Sequence, residues 1–175
     1  MMKNKAYREV VENLLQNNGQ VYPPFNVSAI ANDLGITVLE TVMPQPDISG
    51  LIAKQPNGGI YIYINQDENI NRQRFTIAHE LAHYYLHYKD NLANKDGVLD
   101  FVKYRNGIYS ANESEDEREA NAFAAELLVP YSALEELWLA GYTDAAELAR
   151  RFAVSTEMMI YRLKNCFHDL NRAAR

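Results

Sequence analysis

Apolar residues recur along this chain with two different periods. Ala6, Val10, Val11, Leu14 and Leu15 repeat at helical spacing and stop before Asn17-Asn18-Gly19, which predicts a first amphipathic helix. Pro23 and Pro24 break the chain, and Val27 to Leu34 follows as a short helix closed by Gly35. The period then falls to two. Segments 36–42, 48–53 and 59–64 have strand character and are separated by turns rich in Pro, Asp and Gly. In the third, Ile60, Ile62 and Ile64 alternate with Tyr61, Tyr63 and Asn65, which places the isoleucines on one face of a sheet. An extended peptide can be held by adding a strand to a free sheet edge. Tyr61 and Tyr63 are therefore substrate-strand candidates, on the expectation that their strand is an edge.

Helical character returns at residue 74 and continues to residue 87 without Gly or Pro. From Tyr88 to about Ser114 the chain is polar and irregular, long for a structureless loop, so a short strand or turn is expected around Leu99 to Tyr104. Glu115 to Leu128 is again helical and stops at Pro130; further helices are expected over 133–140, 144–152 and 156–167. With no repeat and no low-complexity linker, the pattern predicts one α+β domain over residues 1–175. A small mixed or antiparallel sheet would pack against a helical core, with a C-terminal helical lobe at 143–167.

Composition narrows the function classes. At 175 residues, with 47% hydrophobic and 23% charged positions, the chain has the make-up of a soluble globular protein. Its net charge of -6 argues against a broad nucleic-acid-binding surface, because duplex binding is dominated by cationic contacts to phosphate. The lobe at 143–167 resembles a helix-turn-helix. Two short packed helices explain that pattern better, since it requires no more than that and the acidity disfavours direct DNA binding; docking of a protein partner is a second use. The N-terminus lacks the apolar run of a secretory signal, and no stretch has the length of a membrane span, so a cytoplasmic location is expected. The single cysteine, Cys166, fits a reducing compartment and, flanked by Leu163 and Phe167, is expected to pack in the core.

The chemistry concentrates at His79-Glu80-Leu81-Ala82-His83. Two histidines four residues apart on a helix raise their imidazoles from one face, close enough to bind a single Zn²⁺, and the intervening glutamate lies where it can take a proton from a water at the metal. Catalytic zinc takes three protein ligands and keeps one position open. The metzincin continuation would need Gly and His where this chain has Leu86 and Lys89, so it fails. His87 is also a poor third ligand: three imidazoles at i, i+4 and i+8 on a straight helix span about 12 Å. A better donor lies on the helix from Glu115. Glu117 and Asn121 share a face there, the first offering a carboxylate oxygen and the second a hydrogen bond to orient a ligand histidine. Glu113, Glu115, Asp116, Glu119 and Glu126 compete with Glu117, since acids near a helix start also serve the helix dipole.

Two ordered motifs carry a family resemblance: Arg74-Phe75-Thr76-Ile77-Ala78 running into His79 to His83, and Glu117-Arg118-Glu119-Ala120-Asn121 followed by Phe123-Ala124-Ala125, Leu127-Leu128 and Pro130. Together with Ile48-Ser49-Gly50 and Leu148-Ala149, Phe152 and Val154-Ser155, they resemble the ImmA/IrrE metallopeptidases over about three-quarters of the chain. The resemblance implies a gluzincin-like architecture in which His79, His83 and Glu117 hold zinc (Mn²⁺ being the alternative ion) and Glu80 is the general base. It also implies a substrate, a helix-turn-helix transcriptional repressor controlling phage, mobile-element or stress genes. The alternative is an antirepressor that binds without cleaving, or a toxin–antitoxin component keeping the same fold. Ala82 stands where Gly is common in the family, and both are small. The resemblance leaves no room for the C-terminal sensory domain of the radiation-response members. An oxyanion donor is also expected, for which Tyr84, Tyr85, Tyr88, Tyr104, Tyr109 and His87 are the nearby candidates.

Overall fold

The computed structural model describes residues 2–45, 47–89, 97–103 and 114–174, with side chains described from residue 6 onward except over 97–103. Its contacts gather into two compact units, one formed by Val27–Ala124 and the other by Met1–Asn26 with Ala125–Arg175. The fold is α+β, with the sheet wholly in the first of these units.

In that unit, helix α2 (Val27–Asp33) leads through Gly35, at φ 76°, into strand β1 (Ile36–Thr41). Strands β2 (Ile48–Lys54) and β3 (Ile60–Asn65) follow, then helix α3 (Ile70–His83), a π-helical turn at Tyr84–Tyr88, strand β4 (Gly97–Lys103) and the start of helix α4 (Glu115–Leu128). The strands form one mixed sheet in the order β1-β3-β2-β4, with β1 parallel to β3 and the remaining pairs antiparallel. The expected strand near Leu99 is β4; Tyr104 lies outside the described residues.

The period-two reading of 60–65 holds for the core face. Ile62, opposite the buried Ile52, and Ile64 are buried, Ile60 is half-buried, and α3 packs against β2 and β3. The edge expectation is corrected. Strand β3 lies inside the sheet, its backbone committed to β1 on one side and β2 on the other, so no peptide can add to it. Tyr61 and Tyr63 are instead half-buried, their rings stacked 6.1 Å apart, and Tyr63 accepts a hydrogen bond from Gln55 at 3.1 Å. Alternation fixes which face a residue occupies but says nothing of which strands flank it.

The other unit is helical. It holds α1 (Met2–Asn17), the end of α4, α5 (Tyr131–Leu139), α6 (Ala145–Phe152) and α7 (Thr156–Ala173). Helix α7 runs to Ala173, beyond the expected Phe167. Phe167 itself faces out, while the buried stripe continues through Met159, Arg162, Cys166 and Leu170. Asp144 and Ser155 cap α6 and α7 by accepting from the amides of Glu147 and Met158. Cys166 is 1% exposed and burial pushes its thiol pKa up, as suits a core residue rather than a nucleophile. Among the described residues no helix is long and apolar enough to cross a membrane.

Candidate metal centre

The metal motif sits on α3, and several local devices seat that helix. Asn69 caps it, its side-chain oxygen accepting from the Arg72 amide at 3.1 Å. Buried Asn65 and Gln73 tie the preceding turn down: Asn65 donates to the Ile48 carbonyl at 3.2 Å and Gln73 donates to the Asn65 carbonyl at 3.1 Å. Ser49 donates to Glu68 at 2.6 Å in the same region. Gly50 permits the close approach of α3 to the sheet, since a Cβ there would stand 2.4 Å from Thr76 Cγ2 and 2.7 Å from the Tyr63 carbonyl oxygen.

On the seated helix the two imidazoles meet as the four-residue spacing predicts. The Nε2 atoms of His79 and His83 are 2.9 Å apart, with ring centroids at 4.6 Å. Glu117, from the first turn of α4, brings one carboxylate oxygen 3.3 Å from His79 Nε2 and the other 3.2 Å from His83 Nε2. These three residues form the described chain's group of donors able to hold a metal ion, with their ligand atoms all within 4.8 Å of one another. A tetrahedral Zn²⁺ with bonds of about 2.0–2.1 Å separates its ligands by about 3.3 Å, so two imidazole nitrogens and a carboxylate oxygen within 4.8 Å of one another can close around one such ion. Glu113 lies outside the described residues; Glu115, Asp116, Glu119 and Glu126 do not join the group.

Asn121, one turn along α4, supports the same arrangement. His79 Nδ1 is 2.9 Å from Asn121 Oδ1, so the nitrogen carrying the proton is Nδ1, which leaves the Nε2 lone pair facing His83 and Glu117. His79 and His83 are 0% and 1% exposed, Glu80 is 0% exposed, and the Glu117 side chain retains 35%. Burial, the largest influence, pushes the His79 pKa below its ordinary 6.5 and so favours the neutral, ligating form. The neighbouring imidazoles of His79 and His83 hold the Glu117 carboxyl well below the usual carboxylate range.

After His83 the helix departs from the straight path assumed in the sequence reading. Lys89 donates to the carbonyl of Tyr84, five residues back, at 2.8 Å, which widens this turn. His87 lies with its ring 5.5 Å from that of His83 and stays outside the metal-ligating group. Tyr85 stacks on Phe123 beneath Lys89, and Tyr88 stacks on His83 at 6.3 Å. Tyr84 is buried; Tyr104 and Tyr109 lie outside the described residues. Sequence reasoning missed Ser114, whose hydroxyl accepts from the Glu117 amide at 3.2 Å; its cue was Ser114 three residues before Glu117, the spacing of a capping box.

Comparison with known proteins bears directly on this arrangement. A family model described as the IrrE N-terminal-like domain matches residues 31–164. The metallopeptidase ImmA of Bacillus subtilis (strain 168) is 26% identical over 174 residues, spanning 97% of this chain and 90% of its own length. In shape the chain is similar to a Mycobacterium tuberculosis transcriptional regulator, with a TM-score of 0.60 over 90% of this chain and 19% identity. The chain covers 46% of that regulator, and at this identity the likeness concerns the fold alone.

Proposed function

The chain belongs to the IrrE N-terminal-like domain family of metallopeptidases, and from that premise we propose that it is a zinc endopeptidase that cleaves a helix-turn-helix transcriptional repressor. The observation that carries the peptidase reading is the convergence of His79, His83 and Glu117 to spacings of 2.9–3.3 Å. The repressor as substrate rests on the family resemblance of the two motifs.

His79, His83 and Glu117 would hold the ion. Zinc bound there supplies Lewis acidity, polarising a scissile carbonyl and lowering the pKa of water. Glu80 follows the first ligand on the same helix and is fully buried, where its carboxylate serves as general base. It takes a proton from the water that attacks the peptide carbonyl carbon. As the carbon–nitrogen bond breaks, it returns that proton to the leaving amine. Asn121 keeps the His79 imidazole in the tautomer whose Nε2 is a lone-pair donor. Burial of both imidazoles excludes water that would otherwise compete for their lone pairs.

The test uses zinc-loaded protein incubated with the product of its neighbouring gene, expected to be a helix-turn-helix repressor. The native chain is expected to yield a defined pair of fragments. Glu80→Gln is expected to retain stoichiometric zinc and yield none. Cleavage at native rate by the Glu80→Gln protein would remove the general-base role, and capture of intact repressor by the native chain would replace cleavage with sequestration.

A further inference from the structure

The three candidate ligands are held in place very differently. His79 is fixed by the 2.9 Å contact to Asn121 and by packing against Phe75. His83 is bracketed by the rings of His79, His87 and Tyr88. Glu117 has no such enclosure: its side chain is 35% exposed, and it occupies the first turn of α4, the part of a helix that frays most readily. Among the described residues, two hydrogen bonds at the start of that turn end on Ser114. The Ser114 carbonyl accepts from the Arg118 amide at 3.1 Å, and the Ser114 hydroxyl accepts from the amide of Glu117 itself at 3.2 Å.

In an ordinary capping box the glutamate three residues after the serine turns back to the serine's amide. Here the serine half of the box is formed, while the glutamate carboxylate extends to the two imidazoles at 3.2 and 3.3 Å. The serine half therefore remains as a restraint on a residue whose side chain is turned to the two imidazoles.

We propose that Ser114 is a positioning residue for the third ligand: its hydroxyl holds the first turn of α4 and so sets where the Glu117 carboxylate meets His79 and His83. The proposal rests on these three residues being the metal ligands. When the hydroxyl is lost, the first turn opens more often, Glu117 is in place for a smaller share of the time, and the ion is held more weakly.

The experiment is a zinc titration of the full chain against a chromophoric chelator, run on the native protein and on Ser114→Ala, Ser114→Thr and Glu117→Ala. Losing a helix cap shifts an equilibrium by about five-fold at typical cap strength, so Ser114→Ala should bind zinc measurably more weakly, by up to about five-fold. Ser114→Thr, which keeps a hydroxyl acceptor, should bind within about two-fold of native. Glu117→Ala should lose far more than either. Equal affinity of Ser114→Ala and native protein would overturn the positioning role. So would an equal loss in the Ala and Thr variants, which would assign the effect to shape rather than to the hydroxyl. If Glu117→Ala binds zinc as tightly as native protein, the ligand assignment itself falls, and the role of Ser114 with it.

Discussion

At the scale of single residues, the site is a set of protonation states held by burial and by single partners. Asn121 accepts from His79 Nδ1 and so decides which nitrogen faces His83 and Glu117. Replacing Asn121 by Ala is expected to weaken zinc binding by about 10- to 100-fold, the usual effect of removing such a support. Chelator competition would measure it, and an unchanged affinity would show that packing alone orients the ring. The pH dependence has a definite sign. His79 has its pKa lowered by burial, so the folded state binds fewer protons there than the unfolded chain, whose imidazole titrates near 6.5. Its contribution to stability is complete above that value and is lost as the pH falls below it toward the folded value. Glu117, also lowered, adds a loss below the ordinary carboxyl value of 4.5. The metal-free protein should therefore melt at progressively lower temperature from pH 6.5 downward, and zinc affinity should fall over the same range because protons compete for the ligand nitrogens. A melting temperature that rises on acidification through this range would contradict the burial of a neutral His79.

At the scale of elements, the seating of α3 on the sheet depends on a missing side chain. A Cβ at position 50 would meet both Thr76 and the carbonyl oxygen of Tyr63, and the backbone atom cannot move without disturbing the pairing of β2 with β3. Gly50→Ala is therefore expected to destabilise the fold by about 1–3 kcal/mol, in the range of overpacked sites. Denaturant unfolding with an unchanged slope would check this, and a variant as stable as the native chain would mean that α3 can shift without cost. The elements themselves were largely legible in the sequence, because burial of one face imposes a period that residue types record. Segments 36–41, 48–54 and 60–65 and the helix at 115–128 stand close to where patterning placed them. What periodicity did not convey was pairing. The strand of Tyr61 and Tyr63 was expected at an edge yet lies inside the sheet, since strand order depends on contacts distant in sequence. The widened turn after His83 was equally silent, because it breaks no propensity and shows only as a hydrogen bond spanning five residues.

At the scale of the whole molecule, each compact unit carries its own polar constraint. In the helical unit, Arg162 and Glu126 form an ion pair with both side chains under a tenth exposed. Arg162 also donates to the Val129 carbonyl at 2.9 Å, and Glu126 accepts from the Tyr131 amide at 2.8 Å. Removing one partner leaves a buried charge uncompensated, so Arg162→Met is expected to cost about 3–5 kcal/mol. The double variant Glu126→Leu with Arg162→Met should recover part of that loss, because it leaves no buried charge. Calorimetry on the single and double variants would test this, and additive losses would indicate that the backbone bonds rather than the charges matter.

From sequence alone, the pairing of His79 with His83 was determined, because helical geometry brings residues four apart onto one face whatever surrounds them. The presence of Glu80 between them and the family motifs were equally available. The third candidate ligand was different in kind. Glu117 was one of several acids, and only the folded chain brings its carboxylate to 3.2 and 3.3 Å from two imidazoles that precede it by more than thirty residues. Tertiary structure also assigned Asn121 to His79 rather than His83, and closed the edge that Tyr61 and Tyr63 had been expected to offer. The physical reason is common to all three: local sequence restricts backbone dihedrals and faces, whereas convergence between segments is decided by how buried faces pack.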